Sequence, residues 1–167
     1  MLLDIVLHPD ERLRVKCTPV AAMNDRLDQL LSQMFDTMYD ADGVGLASTQ
    51  VGENQRFCVV DVSEDRSKPL VLINPEIVDH KNTITWKEGC LSIPEVSAEI
   101  VRPKNILVRA LDRDFKPIEF EADDLLSVCI QHEIDHLDGK LFIDHLSALK
   151  RRRVMEKYVK QQKAQTP

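Results

Sequence analysis

The chain has 167 residues, 43% of them apolar and 30% charged, which suffices for one sizeable core and excludes two full domains. No apolar run approaches the about eighteen residues of a membrane span, and Asp4 and His8 interrupt the N-terminus before a signal region builds up, so a membrane-inserted or secreted protein is not expected. The net charge of −6 is uneven: residues 146–167 hold seven Lys/Arg against Glu156 alone, a balance of +6, and the rest of the chain carries −12. Such a basic tail points to a polyanionic partner. With five Gly, eight Pro and no repeat of solenoid length, the chain reads as one compact domain. Its four cysteines, Cys17, Cys58, Cys90 and Cys129, are spread singly, which fits reduced thiols in a cytosol better than a disulfide framework.

In chain order, Leu27, Leu30, Leu31, Met34, Phe35 and Met38 recur at three- and four-residue steps and predict an amphipathic helix over 25–40, with Asn24 or Asp25 as its N-cap. The Gly-punctuated stretch from Gly43 to Gly52 fits neither helix nor regular strand and reads as a loop. Six short β-rich segments follow, at 57–62, 70–73, 83–86, 96–101, 105–111 and 117–122, most bounded by Asn, Pro or Asp. No helical pattern separates them, which argues against repeated βαβ units. From Asp123 the pattern turns helical. Asp124, Ser127, Gln131, Asp135 and Asp138 form one narrow polar stripe on an otherwise mostly apolar circumference, as expected of a central, largely buried helix that stops at Gly139. A last helix begins near Ser147, with Leu149, Met155, Tyr158 and Val159 as a weak apolar face among basic residues.

His132-Glu133-Ile134-Asp135-His136 is an H-E-x-x-H sequence inside the buried helix. Spacing of i, i+4 points both imidazoles the same way, near enough to share one metal ion, and sets Glu133 beside them to take a proton from water. The alternative, two core histidines satisfied by backbone, leaves two imidazoles on the apolar stripe Leu125, Val128, Cys129 without an evident partner. A third ligand is needed. His8 and His80 lie in polar contexts and His145 at a helix boundary, so Cys90 is preferred, because Gly89 before it allows a tight backbone approach and a thiolate completes a Cys/His/His set. Cys17, Cys58 and Cys129 read as small buried apolar residues.

Three separated motifs, G-V-G-L-A-S-T-Q at 43–50, E-G-C-L-S at 88–92 and H-E-I-D-H-L at 132–137, resemble those of peptide deformylases in content, order and spacing. The similarity runs from His8-Pro9-Asp10 to the S-x-L-K start of the last helix at 147–150, and the basic C-terminal helix resembles that of Gram-negative members. The resemblance implies an α+β fold, short antiparallel β-sheets packed around a central metal-binding helix with an N-terminal and a C-terminal helix. It implies a divalent metal on Cys90, His132 and His136, Fe2+ in the cell and replaceable by Ni2+, Co2+ or Zn2+. Glu133 would be general base and then acid, while Gln50 and the Leu91 N–H would bind the oxyanion. Val44, Gly45 and Gly89 would lie along the substrate backbone, in the manner of an added strand. Val44, Trp86, Glu88, Leu125, Val128, Cys129 and His132 would line the pocket for the methionine side chain. The reaction implied is hydrolysis of the formyl group of N-formylmethionyl nascent chains, releasing formate and a free N-terminal methionine.

The chain departs from that family in three places. Trp86 is bulkier than the usual aliphatic residue and is expected to narrow the pocket, Ser48 replaces the second alanine of the first motif, and Ser97 stands where many bacterial members carry arginine. The organisation expected is a catalytic domain at 1–146 with a basic helix and tail of the same domain at 147–167. This tail is expected to touch the ribosome near the nascent-chain exit, in a monomeric cytoplasmic enzyme with no sequence-specific nucleic-acid binding and no membrane contact. Two other functions share parts of the pattern. A zinc endopeptidase also uses H-E-x-x-H but needs a downstream His or Glu ligand that is missing here, and a binding module without turnover has only Ser48, Trp86 and Ser97 in its favour.

Overall fold

The computed structural model describes residues 1–165. Helix α1 spans Asp25–Asp40, and the Asn24 Oδ1 accepts a hydrogen bond from the Leu27 N–H at 2.8 Å, which settles the cap on Asn24. Asp25 and Asp28 in its first turn lie at the positive end of the helix dipole. Leu27, Leu30, Leu31, Met34, Phe35 and Met38 all face inward, as their spacing predicts.

Five strands follow in sheet order as in chain order, each antiparallel to the next: β1 (Gly45–Ala47), β2 (Phe57–Val60), β3 (Leu70–Cys90), β4 (Ile93–Leu111) and β5 (Pro117–Asp123). Two sequence expectations need correction. The stretch Gly43–Gly52 is not all loop: Gly45–Ala47 pairs with β2 as the edge strand, and Ser48–Val51 forms a single 3-10 turn. Further, the segments at 70–73 and 83–86 are one strand, as are those at 96–101 and 105–111, and together they make a long ribbon with its tip at Leu91-Ser92. Register shifts between Ile73 and Glu76 and between Ile77 and Asp79 absorb the apparent breaks, since an extra residue bends a strand without ending it.

All four residues of β2 are buried because both faces of the sheet are covered there. Phe57 and Val59 join the α1 side chains, with Leu46, Val71 and Ile73. Cys58 and Val60 turn the other way, to Leu72, Ile106, Val108 and Ala110, and pack on helix α2 (Asp124–Leu137) through Cys129, Ile130, Ile134 and Leu137. Each fully buried Leu, Ile or Phe here contributes about 1.5–3 kcal/mol relative to exposure. The polar stripe of α2 does not face water along its length. Ser127 and Gln131 are buried and both donate to the carbonyl of Pro103 on β4, at 3.2 and 2.8 Å. Gly139, at φ +76°, follows the end of α2 as expected of a helix stop.

Helix α3 spans Ala148–Gln165 and buries Tyr158 alone, against Val6, Ile93, Val96, Ile100 and Phe142, with Val154 and Met155 partly covered. Of the four residues expected to form its apolar face, Leu149 and Val159 are exposed to solvent. The helix bears on the start of β4, so its seat is set by Val154, Met155 and Tyr158.

Candidate active site

Helix α2 and the tip of the β3/β4 ribbon meet over β1. Cys90 ends β3, and His132 and His136 project from successive turns of α2, so that the Cys90 sulfur and one nitrogen from each ring lie within 4.8 Å of one another. The His136 Nε2 is 3.2 Å from the His132 Nε2 and 3.4 Å from the Cys90 Sγ. Two donors at about 2.1 Å from one ion and at a tetrahedral angle stand about 3.4 Å apart, so this spacing fits a shared ion. Burial would lower the His132 pKa, yet the Glu133 charge, Cys90 and Glu88 outweigh it and raise it well above the ordinary value. His136 goes the other way, driven well below the ordinary imidazole value by burial and by the neighbouring His132, and so presents a neutral ring.

Glu133 is buried against β1. Burial pushes its carboxyl up to about 7, the range of a group that both accepts and returns a proton near neutral pH. A Cβ at Gly45 would run into Glu133 Oε2 and lie 2.9 Å from Cys129 Sγ, so only glycine lets the strand pass this carboxylate. Among the described residues, Glu133 Oε1 and His136 Nδ1 are buried polar atoms without a hydrogen-bond partner. By contrast, a Cβ at Gly89 would meet only the Val96 carbonyl at 3.4 Å, so packing within the chain does not demand glycine there.

Gln50 is held at both ends of its amide. Its Oε1 accepts from the Ala47 N–H at 2.9 Å, and its Nε2 donates to Ser92 Oγ at 3.0 Å and lies 3.6 Å from Cys90 Sγ. The carbonyl of Val44 accepts from the Asp61 N–H at 2.9 Å, while the far edge of β1 pairs with no strand among the described residues and borders a cleft of about 420 Å³. All nine residues expected to touch substrate line that cleft: Val44, Gly45, Trp86, Glu88, Gly89, Leu125, Val128, Cys129 and His132. Gln50, Cys90, Leu91 and Glu133 line it too. Its size suits a small peptide end. The hydroxyl of Ser48 donates to the Gln55 carbonyl at 2.6 Å and so is satisfied away from the cleft, and Ser97 is exposed on β4 opposite Gly89.

The other histidines stand apart from the Cys/His cluster. The ring of His8 stacks obliquely on Tyr158 at 6.0 Å, His80 lies out on the ribbon opposite Ile106, and His145 pairs with Asp135 at 2.8 Å. Sequence reasoning missed the partner of His132. Its Nδ1 is 3.0 Å from Glu88 Oε1, and Glu88 is in turn gripped by Arg102. Burial alone would raise the Glu88 carboxyl, but the hydrogen bonds from His132 and Arg102 outweigh it and hold Glu88 below the ordinary value. The signal for Arg102 was present: Val96, Ile100 and Arg102 share the inward parity of β4, and a charge at an inward position requires a partner.

Residues 2–152 match the polypeptide deformylase family. A peptide deformylase of Hydrogenovibrio crunogenus is 61% identical over 159 residues, 95% of this chain and 94% of the relative. One from Alkalilimnicola ehrlichii is 54% identical, covering 96% of this chain and 92% of the relative. The chain belongs to the polypeptide deformylase family. Its fold agrees. The crystal structure of a peptide deformylase from Legionella pneumophila superposes with a TM-score of 0.92 at 45% identity, over all of both chains. The deformylase of Ehrlichia chaffeensis in complex with actinonin gives 0.90 at 39% identity, over 96% of this chain and 97% of that one. Deformylases are metal-dependent hydrolases of protein biosynthesis that remove the N-formyl group from nascent polypeptides, and this chain is an enzyme of that kind, with a Cys/His cluster that could hold a metal ion. No helix among the described residues is long and apolar enough to cross a membrane.

Proposed function

We propose that Cys90, His132 and His136 are the ligands of the metal, Fe2+ in the cell and replaceable by Ni2+, Co2+ or Zn2+, and that Glu133 moves the protons of formyl hydrolysis. The observation that carries this reading is the Cys/His cluster beside a buried carboxylate that only Gly45 can accommodate. When bound, the divalent ion supplies Lewis acidity and lets water act as a nucleophile near neutral pH. The residues of the chain do the rest. Glu133 takes the proton of the attacking water and gives it to the methionine nitrogen as the formyl C–N bond breaks, leaving formate and a free amine. Gln50 Nε2 and the Leu91 N–H hold the oxyanion of the tetrahedral intermediate, and Gln50 is preorganised for this because Ala47 fixes the other end of its amide.

The free edge of β1 at Val44 and Gly45, with Gly89 across the cleft, binds the peptide backbone as an added strand. Trp86, Glu88, Leu125, Val128, Cys129 and His132 form the wall around the methionine side chain. The enzyme works as a cytoplasmic monomer whose α3 helix, with its surplus of Lys and Arg, contacts the ribosome; residues 1–146 carry the catalysis and 147–167 the contact.

The test is formate release from formyl-Met-Ala-Ser by anaerobically purified protein loaded with Fe2+ or Ni2+, beside Glu133→Ala at equal metal content. Turnover should fall by about 10²–10⁴-fold in the variant. No turnover in fully metallated wild type would leave a metal-binding module in place of the enzyme.

A further inference from the structure

Arg102 and Glu88 form an ion pair with each side chain only 4% exposed. Buried pairs of this kind are often matched in stability by apolar residues of similar size, so the pair calls for a role other than holding the fold together. Its geometry supplies one. Arg102 Nε and Nη2 donate to the two oxygens of Glu88 at 2.5 and 2.9 Å, and the same Glu88 Oε1 faces His132 Nδ1 at 3.0 Å. The remaining arm, Nη1, donates to Asp135 Oδ2 at 2.9 Å, and His145 Nε2 lies 2.8 Å from that oxygen. Asp135 immediately precedes His136 in the last turn of α2. One guanidinium on β4 thus grips the carboxylate behind one histidine and the residue adjoining the other.

We propose that Arg102 is a positioning residue for the metal centre, acting through Glu88 on the ring of His132 and through Asp135, with His145, on the turn that carries His136. The proposal rests on the reading of Cys90, His132 and His136 as ligands. With Glu88 fixed, the Nδ1–H of His132 has a directed acceptor, which sets the tautomer and the ring plane and turns Nε2 toward Cys90 and His136. Arginine is required because two divergent carboxylates are held at once, which the single ammonium of lysine cannot reproduce.

Co2+ binding to the full chain tests this, read by the thiolate-to-cobalt charge-transfer and d–d bands, with circular dichroism to verify folding. Arg102→Lys and Arg102→Met should each weaken Co2+ binding by about 10- to 100-fold and shift the d–d bands. Combining Arg102→Met with Glu88→Gln should lose less than the product of the two single losses, because the two residues share the path to His132. His145→Gln, which can still hydrogen-bond Asp135, should stay nearer wild type than His145→Phe; this pair and Arg102→Lys decide the matter if Arg102→Met does not fold. Unchanged affinity and spectrum in folded Arg102→Lys, or losses that multiply in the double variant, would overturn the positioning role while leaving the ligand set intact. A wild type that shows no thiolate-to-cobalt band would instead overturn the ligand set, and the proposal with it.

Discussion

Helices α2 and α3, of 14 and 18 residues, have opposite surroundings. In α2 ten residues are buried, and Ser127, Gln131, His132 and Asp135 all have a partner on the neighbouring strands. In α3 only Tyr158 is buried, and most of the charged side chains stand in solvent. Apart from Glu133 Oε1 and His136 Nδ1, the buried polar atoms of α2 are therefore answered inside the molecule, whereas the basic residues of α3 are exposed, with Arg151 reaching back to Asp144 at 3.4 Å. Substitutions should separate the two helices by what they disturb.

The largest effect after Glu133→Ala is expected from Gly45→Ala, which pushes a methyl group into the Glu133 carboxylate and the Cys129 sulfur. Displacing a catalytic group by about an ångström costs about 100-fold in kcat, with bound metal retained. An unchanged kcat would mean that β1 can yield at that point. Next, Ile130→Ala on the buried face of α2 should destabilise by about 2–5 kcal/mol in urea unfolding, because it opens a cavity between the helix and the sheet. Leu149→Ala on α3, where the side chain is 55% exposed, should stay within about 0.5 kcal/mol. Equal losses at the two positions would erase the contrast.

The smallest effect on the isolated enzyme is expected from changing Arg152, Arg153, Lys157 and Lys160 together to glutamine. Turnover of formyl-Met-Ala-Ser should be unchanged, while co-sedimentation with ribosomes weakens and loses much of its salt dependence. Charge replacement sharpens the comparison better than truncation, which would strip Tyr158 from the core formed with Ile93 and Val96. Co-sedimentation equal to wild type would show that the basic face is merely solvated.

The three helices were legible in the sequence because helical periodicity and caps are local, and Asn24 and Gly139 mark their ends as expected. The H-E-x-x-H pair was legible for the same reason, since its spacing places both rings without knowledge of the rest. The long ribbon was not. Asn74 and Asn82, at φ +52° and +57°, together with Pro75 and Pro103, read locally as strand ends, and only pairing across the ribbon carries the strands through them. Strand β1 was hidden in a glycine-rich stretch, because Gly45 answers to Glu133, 88 residues further along the chain. Arg102 was missed because its partners come from β3 and α2, and a parity argument within β4 gives its direction without naming them.

The ribbon tip has a consequence for how the chain is held together. Cys90 sits at the end of a hairpin, and His136 on a helix 46 residues further along the chain. An ion gripped by both closes a loop of that length, as a covalent cross-link would, and withdraws from the unfolded chain the freedom it would otherwise have between those points. With the ligand set proposed above, the site would in this sense also be a clasp, and demetallation should loosen the hairpin from the helix as well as silence the chemistry.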